Sequence, residues 1–597
     1  RGVYGLQNMS SNTTEVRDLL DSLTLEMSTC IATGSYFSSQ SIGSIMYGLQ
    51  GMNATQRGVK EFISTLCDAL DDNQEYYASR SARKGSTSTS TTSPSITNTG
   101  SGSGYSQFYD DDLDRKALSM RTTGSGTRSG TGTGAVEQLY PISSQNIGSA
   151  IYGLQQKSCI DNVEVKRLVG SLTNWIEDGI ADAGGIDLDQ QAVSNILYGL
   201  YKMPINIPEV ARLFRVLLGA MSHKVGAGSG AGSGSGDGDG SMLPESFSDQ
   251  DVGVAFYGLQ NMSMDESSRS IATPLLHEMH LRLHAYAPNP TPHNPSPNHD
   301  PNPNLSSETT TTTTTANVNT KANANIKARA KAQLSIASLS CGFYGLRNFA
   351  FNPNPDSDSK PSVGEGEGID GDVLYKIVEI FAHQLELGGA LGLGTRTGTR
   401  GVDIPPLALT NIIYGMQSLV RTTARATDSD PDSNSDSGLH GQLMDERRDL
   451  MLNIFGSLAK RLPMKTTTNT KVKANKWESG MTQMSLLQSS QCLNGLLELS
   501  NTYMNADTNK VLSYIIDNIE FHVTKMEQTG RAGLKIPYTV VASLYQMLSL
   551  STSTSSVGQS LTTLENMDPS VADRLTHLTD RMRTVLYGLE HTDTSQS

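Results

Sequence analysis

The chain has 597 residues, and residues of the hydrophobic class make up 36% of it, below the roughly 45–50% apolar share of ordinary globular proteins. Segments rich in Gly, Ser, Thr, Asn and Pro account for the shortfall, so the remaining segments have an ordinary core composition. The formal net charge is −14, which argues against a surface of general positive charge. The excess of acidic over basic residues lies mostly in four short segments, at 110–114, 237–239, 356–372 and 428–436. The rest of the chain is near neutral, so charge neither requires nor excludes an RNA partner.

Cysteine usage and hydropathy indicate the cellular context. The five cysteines form no CxxC pair and have no metal-like spacing, which is typical of reduced thiols in an intracellular protein. No apolar run approaches the roughly 20 residues that cross a bilayer, so no membrane partner is predicted. The chain begins with Arg1 rather than Met. We therefore expect a preceding piece, which leaves the question of a targeting peptide open.

A short YG[LM] motif is the first predicted element and recurs along the chain. Its tyrosine is found at Tyr4, Tyr47, Tyr152, Tyr198, Tyr257, Tyr344, Tyr414 and Tyr587, with degenerate copies centred on Asn494 and Tyr545. With the tyrosine as position zero, apolar residues fall at −5, −2, −1, +2 and +5, as in Ile42, Ile45, Met46, Leu49 and Met52. At 100° per residue these positions form one stripe of an α-helix. The motif therefore predicts a helix.

A second helical pattern begins about 12 residues after each tyrosine. Examples are EVRDLLDSL from Glu15, GVKEFISTLCDAL from Gly58 and EVARLFRVLLGAM from Glu209. Each unit is then a helix, a turn and a second helix, and such a hairpin is too small to bury its own apolar faces. We predict an all-α fold: an α-solenoid of about ten helix-turn-helix repeats, interrupted by long disordered low-complexity loops.

Composition places the boundaries of the repeats. We assign repeats to 1–83, 135–223, 247–287 and 333–463, and degenerate repeats with a tail to 476–597. The inserts between them are 84–134 (Ser/Thr/Gly-rich), 224–246 (Gly/Ser-rich) and 288–332 (Pro/Asn/Thr-rich), with shorter inserts near 352–370, 388–403 and 423–441 and a linker at 464–475. These segments contain too few apolar residues to offset chain entropy, so we expect them to be disordered.

The candidate ligand-binding residues lie opposite the apolar stripe, at the tyrosine and at position +3. They are Tyr47, Gln50, Tyr152, Gln155, Tyr198, Tyr257, Gln260, Tyr344, Arg347, Tyr414 and Gln417. A row of aromatic and amide side chains is able to stack bases and to form hydrogen bonds with their edges.

Packing between repeats is the competing interpretation of the tyrosine, and the one we favour. In a solenoid each first helix touches both neighbours, so the tyrosine is expected to pack sideways against the next repeat. Glycine at +1 and a small residue at −3, as in Gly48 and Ser44, let helices approach closely. This explains a glycine that costs about 1 kcal/mol in a helix. The amides at +3 and +4 are then better placed than the tyrosines to face a ligand.

No catalytic, metal or cofactor signature is present in the sequence. The glycine-rich strings from Gly130 and Gly232 lack the strand-turn-helix context and the GxxxxGK[ST] pattern of nucleotide loops. His277, His280 and His284 share one side of a predicted helix, but no HExxH or carboxylate-rich partner accompanies them. We expect these histidines to form a polar face, and we predict no enzyme and no cofactor.

The stretches SIGSIMYGLQGM…GVKEFISTL and AVSNILYGLYKM…EVARLFRVLL resemble the helical-hairpin repeats of octotricopeptide and heptatricopeptide proteins. The resemblance covers the helical portions of nearly the whole chain. The chain differs from those families in three respects: the repeat period is irregular, the Pro/Trp signature is missing, and no C-terminal nuclease-like module is recognised. The resemblance implies an RNA-binding factor of the chloroplast or mitochondrion.

Together these features predict a non-catalytic helical-repeat scaffold that binds single-stranded RNA in organellar gene expression. The alternative is a protein–protein interaction scaffold of armadillo type, which a near-neutral repeat core suits equally well. The expected partner is thus RNA or another protein, and the sequence does not indicate an oligomeric state.

Overall fold

The structure is a computed structural model, and it describes residues 3–86, 142–183, 186, 188–222, 246–262, 266–288, 333–349, 371–390, 404–425, 437–462, 484–529 and 567–593. Within these ranges the chain forms sixteen α-helices and no β-strand. In chain order they are α1 (Thr14–Ala32), α2 (Ser39–Gly48), α3 (Arg57–Ser86), α4 (Ser144–Tyr152), α5 (Val163–Ala183), α6 (Gln190–Gly199), α7 (Pro208–Ser222), α8 (Asp249–Gly258), α9 (Glu266–Arg282), α10 (Ile336–Gly345), α11 (Gly371–Ala390), α12 (Pro406–Arg425), α13 (Ser437–Arg461), α14 (Leu486–Tyr503), α15 (Ala506–Thr529) and α16 (Pro569–Asp593).

The helices form two layers, and each helix packs on its equivalent in the next unit. The first layer begins with a short 3-10 helix, Tyr4–Leu6, and continues through α2, α4, α6, α8, α10, α12 and α14. The second layer runs through α1, α3, α5, α7, α9, α11, α13, α15 and α16. The all-α prediction is confirmed, and the contacts between neighbouring helices are consistent with a helical repeat.

The first-layer helices from α2 to α14 begin at the same point of the motif, eight residues before the tyrosine position. In six of these seven helices the residue at −9 has a polar side chain that accepts a backbone N–H of the first turn, as Ser38 does from Ser41, and Asp189 from Ala192; α12 has Pro405 there. Ser248 and Ser485 form full capping boxes with the residue three positions on. The preceding residue is apolar in each copy and belongs to the core or packs against it: Phe37, Ile142, Leu188, Phe247, Leu334, Ile404 and Met484. A polar cap after an apolar anchor fixes where six of these helices start.

The core is built from the predicted apolar stripe. The side chains of Ile42 and Met46 in α2 and of Leu49, which follows the helix, are buried, and Ile45 is partly buried against them. The second layer contributes its own apolar face, for example Phe62 and Leu66 of α3. One continuous core runs between the layers because every hairpin covers its neighbour.

The glycine at +1 brings consecutive first-layer helices into backbone contact. A Cβ built on Gly48 would overlap the carbonyl of Val3, far inside the 3.0 Å that real Cβ atoms keep. The same overlap joins Gly153 to Met46, Gly199 to Ile151, Gly258 to Leu197, Gly345 to Phe256 and Gly415 to Phe343. The partner is always the residue before the preceding tyrosine. The predicted close approach is confirmed.

Some of the predicted segments lie outside the described residues, and others differ from the prediction in their bounds or in the layer to which they belong. The inserts fall largely outside the described ranges, as does the degenerate copy at Tyr545. α12 continues to Arg425 and α13 begins at Ser437, so both ends of the 423–441 segment are helical. Tyr587 belongs to α16, which packs on the second-layer helix α15, so this copy of the motif is not part of the first layer.

A buried glutamine of α11 joins the two chain ends that flank the segment 289–332. Gln384 is 2% exposed; its Nε2 donates to the carbonyl of Tyr286 (2.9 Å), and its Oε1 accepts the backbone N–H of Leu334 (3.1 Å). Asn73 of α3 holds the equivalent residue Phe37 in the same way, through its backbone N–H and carbonyl. A second-layer amide thus fixes the entry to a first-layer helix.

We expect Gln384→Leu to lower the free energy of unfolding by about 2 kcal/mol, because it leaves two buried backbone groups without their partner. Guanidinium unfolding followed by circular dichroism measures the change. Glu386→Gln is the control, since Glu386 is exposed on the same helix and its substitution should stay within about 0.5 kcal/mol. Equal stabilities of the two variants would contradict the anchoring role.

Candidate nucleic-acid interface

A continuous row of stacked tyrosines runs along the first layer. We call it the tyrosine ladder: Tyr4, Tyr47, Tyr152, Tyr198, Tyr257, Tyr344 and Tyr414. Neighbouring ring centroids are 5.5, 5.5, 5.5, 5.8, 5.8 and 6.0 Å apart in that order. The interplanar angles lie between 18° and 32°. The helix contact at glycine +1 places each tyrosine this close to the next.

The ladder confirms that the tyrosines pack sideways against neighbouring repeats. A base between two rings needs about 3.4 Å on each side, hence about 6.8 Å between them. The observed spacing is shorter, so the ring faces from Tyr47 to Tyr344 are covered by other tyrosines. The expectation that these rings stack bases face to face is wrong for this arrangement. The ring edges and hydroxyl groups are what the ladder offers a ligand.

Burial favours the neutral hydroxyl at three tyrosines of the ladder. It raises the pKa of Tyr152 and Tyr198 above the ordinary value, and a neighbouring tyrosine adds to the rise at both positions. Burial also raises the pKa of Tyr344, although Arg347 opposes the rise. A neutral hydroxyl both donates and accepts hydrogen bonds. The ladder therefore supplies polar groups without adding charge.

The glutamines at +3 are less exposed than the tyrosines. Gln155, Gln260 and Gln417 are only 7%, 4% and 5% exposed, whereas Tyr414 is 36% exposed. The expectation that the amides are better placed to face a ligand is therefore wrong for position +3, whereas the amides at +4, Asn8, Asn261 and Asn348, are exposed. For Gln155 and Gln260 the physical reason is that α4 and α8 end near position +1, so the helical angle does not hold at +3 and the chain turns inward. Gln417 lies inside α12, which continues to Arg425, and its Oε1 lies close to Gly495 of α14.

These turn residues bridge consecutive units instead. Gln50 donates from Nε2 to the carbonyl of Gln7 (3.4 Å), and Arg347 donates from Nε to the carbonyl of Gln260 (3.2 Å). Asn261, at +4, donates to the carbonyl of Tyr201. The acceptor is in each case the +3 carbonyl of the preceding unit. The positions predicted to bind a ligand therefore also hold successive turns in register.

Arg347 is further engaged by the ladder. Its guanidinium lies 4.5 Å from the ring centroid of Tyr344 and 5.9 Å from that of Tyr414, and it donates to the Tyr344 hydroxyl. Cation–π contacts of this kind hold an arginine in place while leaving its charge. Arg347 thus adds one positive charge beside the uncharged ladder.

A polar face that sequence reasoning missed runs beside the ladder, at positions −7 and −3. We call it the amide stripe: Gln40, Ser44, Gln145, Ser149, Gln191, Asn195 and Gln250. The four glutamines are exposed, and the residues at −3 are partly buried. Position −7 lies within about 20° of the tyrosine on the helix. Extending the template one further turn toward the N-terminus would have found it, since the same residue type recurs there in four successive helices.

An acidic cleft lies in the second layer, away from the amide stripe. It has a volume of about 340 Å³ between α11 and α13, and its lining includes the carboxylates of Glu379, Glu386, Glu446 and Asp449. None of the sequence-predicted site residues belongs to it. Four carboxylates repel phosphate groups, so this cleft is not suited to a nucleic acid.

The histidines of α9 and its end do not come together as a metal site. His277 and His284 are exposed, and His284 contacts the hydroxyl of Ser246 at 3.0 Å. His280 is partly buried, and burial lowers its pKa, with Lys376 adding to the effect. In the described ranges no three His, Cys, Asp or Glu side chains are grouped to hold a metal ion.

Fold and ladder together define an all-helical protein whose neighbouring helices contact as in a helical repeat. Comparison with protein-family models, with curated proteins and with solved structures found no match. The resemblance to octotricopeptide and heptatricopeptide proteins therefore stays a prediction. None of the helices that the structure describes combines the length and apolar character needed to span a membrane.

Proposed function

We propose that this chain is a non-catalytic binding scaffold, an α-solenoid of about ten repeats, that binds single-stranded RNA along the amide stripe. The observation that carries the proposal is the repetition of one polar set in successive first-layer helices. Three successive units, those of α2, α4 and α6, present a glutamine at −7, a small polar residue at −3 and a tyrosine edge at zero, as Gln145, Ser149 and Tyr152 do, and α8 shares the glutamine and the tyrosine but has Val254 at −3. Repeat proteins that read RNA use two or three side chains of one helical repeat for each base.

Rigidity and charge of the stripe support this choice. The tyrosine ladder fixes the spacing of consecutive units, so the polar groups beside it are held in place before a ligand arrives. Arg347 lies on the ladder, and Lys202 lies near it with Nζ 5.3 Å from the Tyr201 ring. These cations are available to phosphate groups along one edge. Bases then meet the uncharged amides and hydroxyls.

The first experiment measures binding of a mixed-sequence single-stranded RNA by fluorescence anisotropy at about 50 and 200 mM salt. We expect affinity to fall as salt rises, since bound phosphates release counterions. The triple variant Ser44→Asp, Ser149→Asp and Asn195→Asp should bind about tenfold more weakly or worse, because three carboxylates on the binding surface repel the negatively charged RNA.

The matched control carries the same three charges away from the stripe: Ser22→Asp, Ser28→Asp and Thr29→Asp on the exposed side of α1. This variant should keep nearly native affinity. Failure of the native chain to retain any RNA at low salt would remove the RNA proposal. Equal losses in both triple variants would move the binding surface away from the stripe.

A protein partner, as in an armadillo-type scaffold, is the second candidate. The observation that favours it is the lack of any charged residue at −7, −3 and zero in α2, α4, α6 and α8. A photo-cross-linking amino acid placed at position 149, with position 22 as control, distinguishes an RNA ligand from a protein partner in cells. Adducts sensitive to ribonuclease support RNA, and adducts sensitive only to protease support a protein partner.

The place of action that we propose is the chloroplast or mitochondrion, in organellar gene expression. This part rests on the resemblance of the repeats alone. Organelle fractionation followed by protease protection of the endogenous protein tests it. Protein found only outside both organelles would contradict it.

A further inference from the structure

Four glutamines occupy equivalent positions in four successive helices of the first layer. Gln40, Gln145, Gln191 and Gln250 all lie seven residues before a ladder tyrosine, near the start of α2, α4, α6 and α8. Each is exposed, and none forms a side-chain hydrogen bond within the described part of the chain. Their amides are therefore free to pair with a ligand.

The column has a definite end. At the same position α10 has Ala337 and α12 has Leu407, which cannot form side-chain hydrogen bonds. The helices nevertheless continue to stack, and the ladder continues through Tyr344 and Tyr414. Glutamine is thus not needed at −7 for packing. A role toward something outside the protein accounts better for its presence in four consecutive units.

The register of the helices keeps the four amides in line. At the C-terminal end of the helices, the glycine at +1 of each unit contacts the residue at −1 of the unit before it. At the N-terminal end, the hydroxyl of Ser144 in α4 accepts a hydrogen bond from the backbone N–H of Asp189, which precedes α6. The hydroxyl of Ser39 likewise accepts a hydrogen bond from the side chain of Asn146. Both ends of the helices are therefore tied across units, and the glutamines between them repeat at the spacing of the units.

We propose that this glutamine column reads four consecutive adenines of a single-stranded RNA. The proposal rests on the RNA-binding function proposed above. A glutamine amide donates through its NH₂ group and accepts through its carbonyl oxygen. Adenine offers the matching pair on its outer edge, where N6 donates and N7 accepts, and bidentate pairing of Gln with adenine follows. It offers a second matching pair, N6 and N1, on its Watson–Crick edge.

The other bases lack adenine's matching pair on the N7 edge. On that edge guanine presents only the acceptors N7 and O6, so the glutamine carbonyl faces an acceptor, and cytosine and uracil have no N7 edge. Guanine, cytosine and uracil each match an amide through the Watson–Crick edge, so the preference for adenine comes from reading at N7. Because the reader is the same in four units, the preferred target is a run of one base rather than a mixed sequence.

The test is a titration of the full chain with labelled octanucleotides of adenosine, cytidine, uridine and guanosine at low salt, with a mixed-sequence octanucleotide as reference. We expect the adenosine oligomer to bind at least about tenfold more tightly than the others. The quadruple variant Gln40→Ala, Gln145→Ala, Gln191→Ala and Gln250→Ala should lose this preference, so that its affinity for the adenosine oligomer falls to that for the other oligomers. Circular dichroism verifies that this surface variant keeps its helices.

A variant that replaces glutamine with glutamate tests whether these side chains form hydrogen bonds with the edges of the bases. In the double variant Gln145→Glu and Gln191→Glu, a carboxylate accepts from N4 of cytosine but repels N7 of adenine. The ratio of adenosine to cytidine affinity should fall about tenfold. Its control, Ser22→Glu with Ser28→Glu on α1, has the same net charge and should leave the ratio unchanged.

The outcomes separate the two proposals. Equal binding of all oligomers, or tighter binding of uridine, overturns adenine reading and leaves RNA binding in place. No binding of any oligomer or of the mixed sequence overturns both. A preference for adenosine that survives the quadruple variant overturns the role of the glutamines.

Discussion

Replacing Gly199 with alanine is expected to lower the free energy of unfolding by about 3 kcal/mol. A Cβ at this position would overlap the carbonyl of Ile151 and approach the Cα of Tyr152 to 2.9 Å. These are backbone atoms, which cannot rotate away as a side chain does. The helices α4 and α6 must then separate, which also pulls Tyr152 and Tyr198 apart. Guanidinium unfolding measures the loss.

Two other glycines are matched controls. Gly5 holds the same position in the motif, but a Cβ there meets nothing within 4 Å, so Gly5→Ala should change stability by no more than about 0.5 kcal/mol. Gly170 lies inside α5 and also has open space. Because glycine weakens a helix interior, Gly170→Ala should raise stability by about 0.5–1 kcal/mol. A stable Gly199→Ala variant would show that the close approach of first-layer helices is not obligatory.

The second large effect concerns a lysine in the core. Lys157 is 1% exposed, and its Nζ donates to the carbonyls of Leu49 (2.6 Å) and Gly153 (2.9 Å). It stands at +5, where α2, α6 and α8 are followed by Met52, Met203 and Met262. Burial lowers the pKa of Lys157 from 10.5 to about 7. We expect Lys157→Met to raise the free energy of unfolding at pH 7 and to change its pH dependence.

The sign of the pH dependence follows from linkage. The folded chain releases the Lys157 proton near pH 7, whereas the unfolded chain keeps it until about pH 10.5. Unfolding therefore takes up a proton between these values, so the stability contributed by this group increases as pH rises. The advantage of Lys157→Met over the native chain should shrink by about 2 kcal/mol from pH 7 to pH 9.

Comparison of the two proteins at each pH removes the effect of other groups. Burial raises the pKa of Cys67 to about 12 and of Cys159 to about 11, so both proteins lose stability together above pH 9. Chemical unfolding in buffers at pH 7, 8 and 9 gives the difference directly. A difference that does not vary with pH would mean that Lys157 keeps its ordinary pKa in the folded chain.

The sequence was sufficient to predict the features that depend on local spacing. The apolar stripe around Ile42 and Met46 has a period of 3.6 residues because it is buried on one side, so counting residues identifies it. The role of Gly48 follows from its cost in a helix. Sideways packing of the tyrosines could be argued in the same way, since a first-layer helix has a neighbour on each side.

Features that depend on where the helix ends could not be predicted by counting. Gln155 and Gln260 were assigned to the exposed face because a continuing helix would place them there, but the chain turns before +3. The partners of Lys157 could not be inferred either, because Leu49 belongs to a unit more than a hundred residues away. Gln384 joins two segments that only the stacked structure brings together.

Gln384 also has a practical consequence for changing the chain. Because one side chain holds both Tyr286 and Leu334, the sequence between them does not have to bridge a gap in the stack. We therefore expect that a change in its length would leave α9 and α10 in place. This position is thus a natural insertion point, where an epitope tag or a fluorescent reporter could be placed with little effect on the helices at either end.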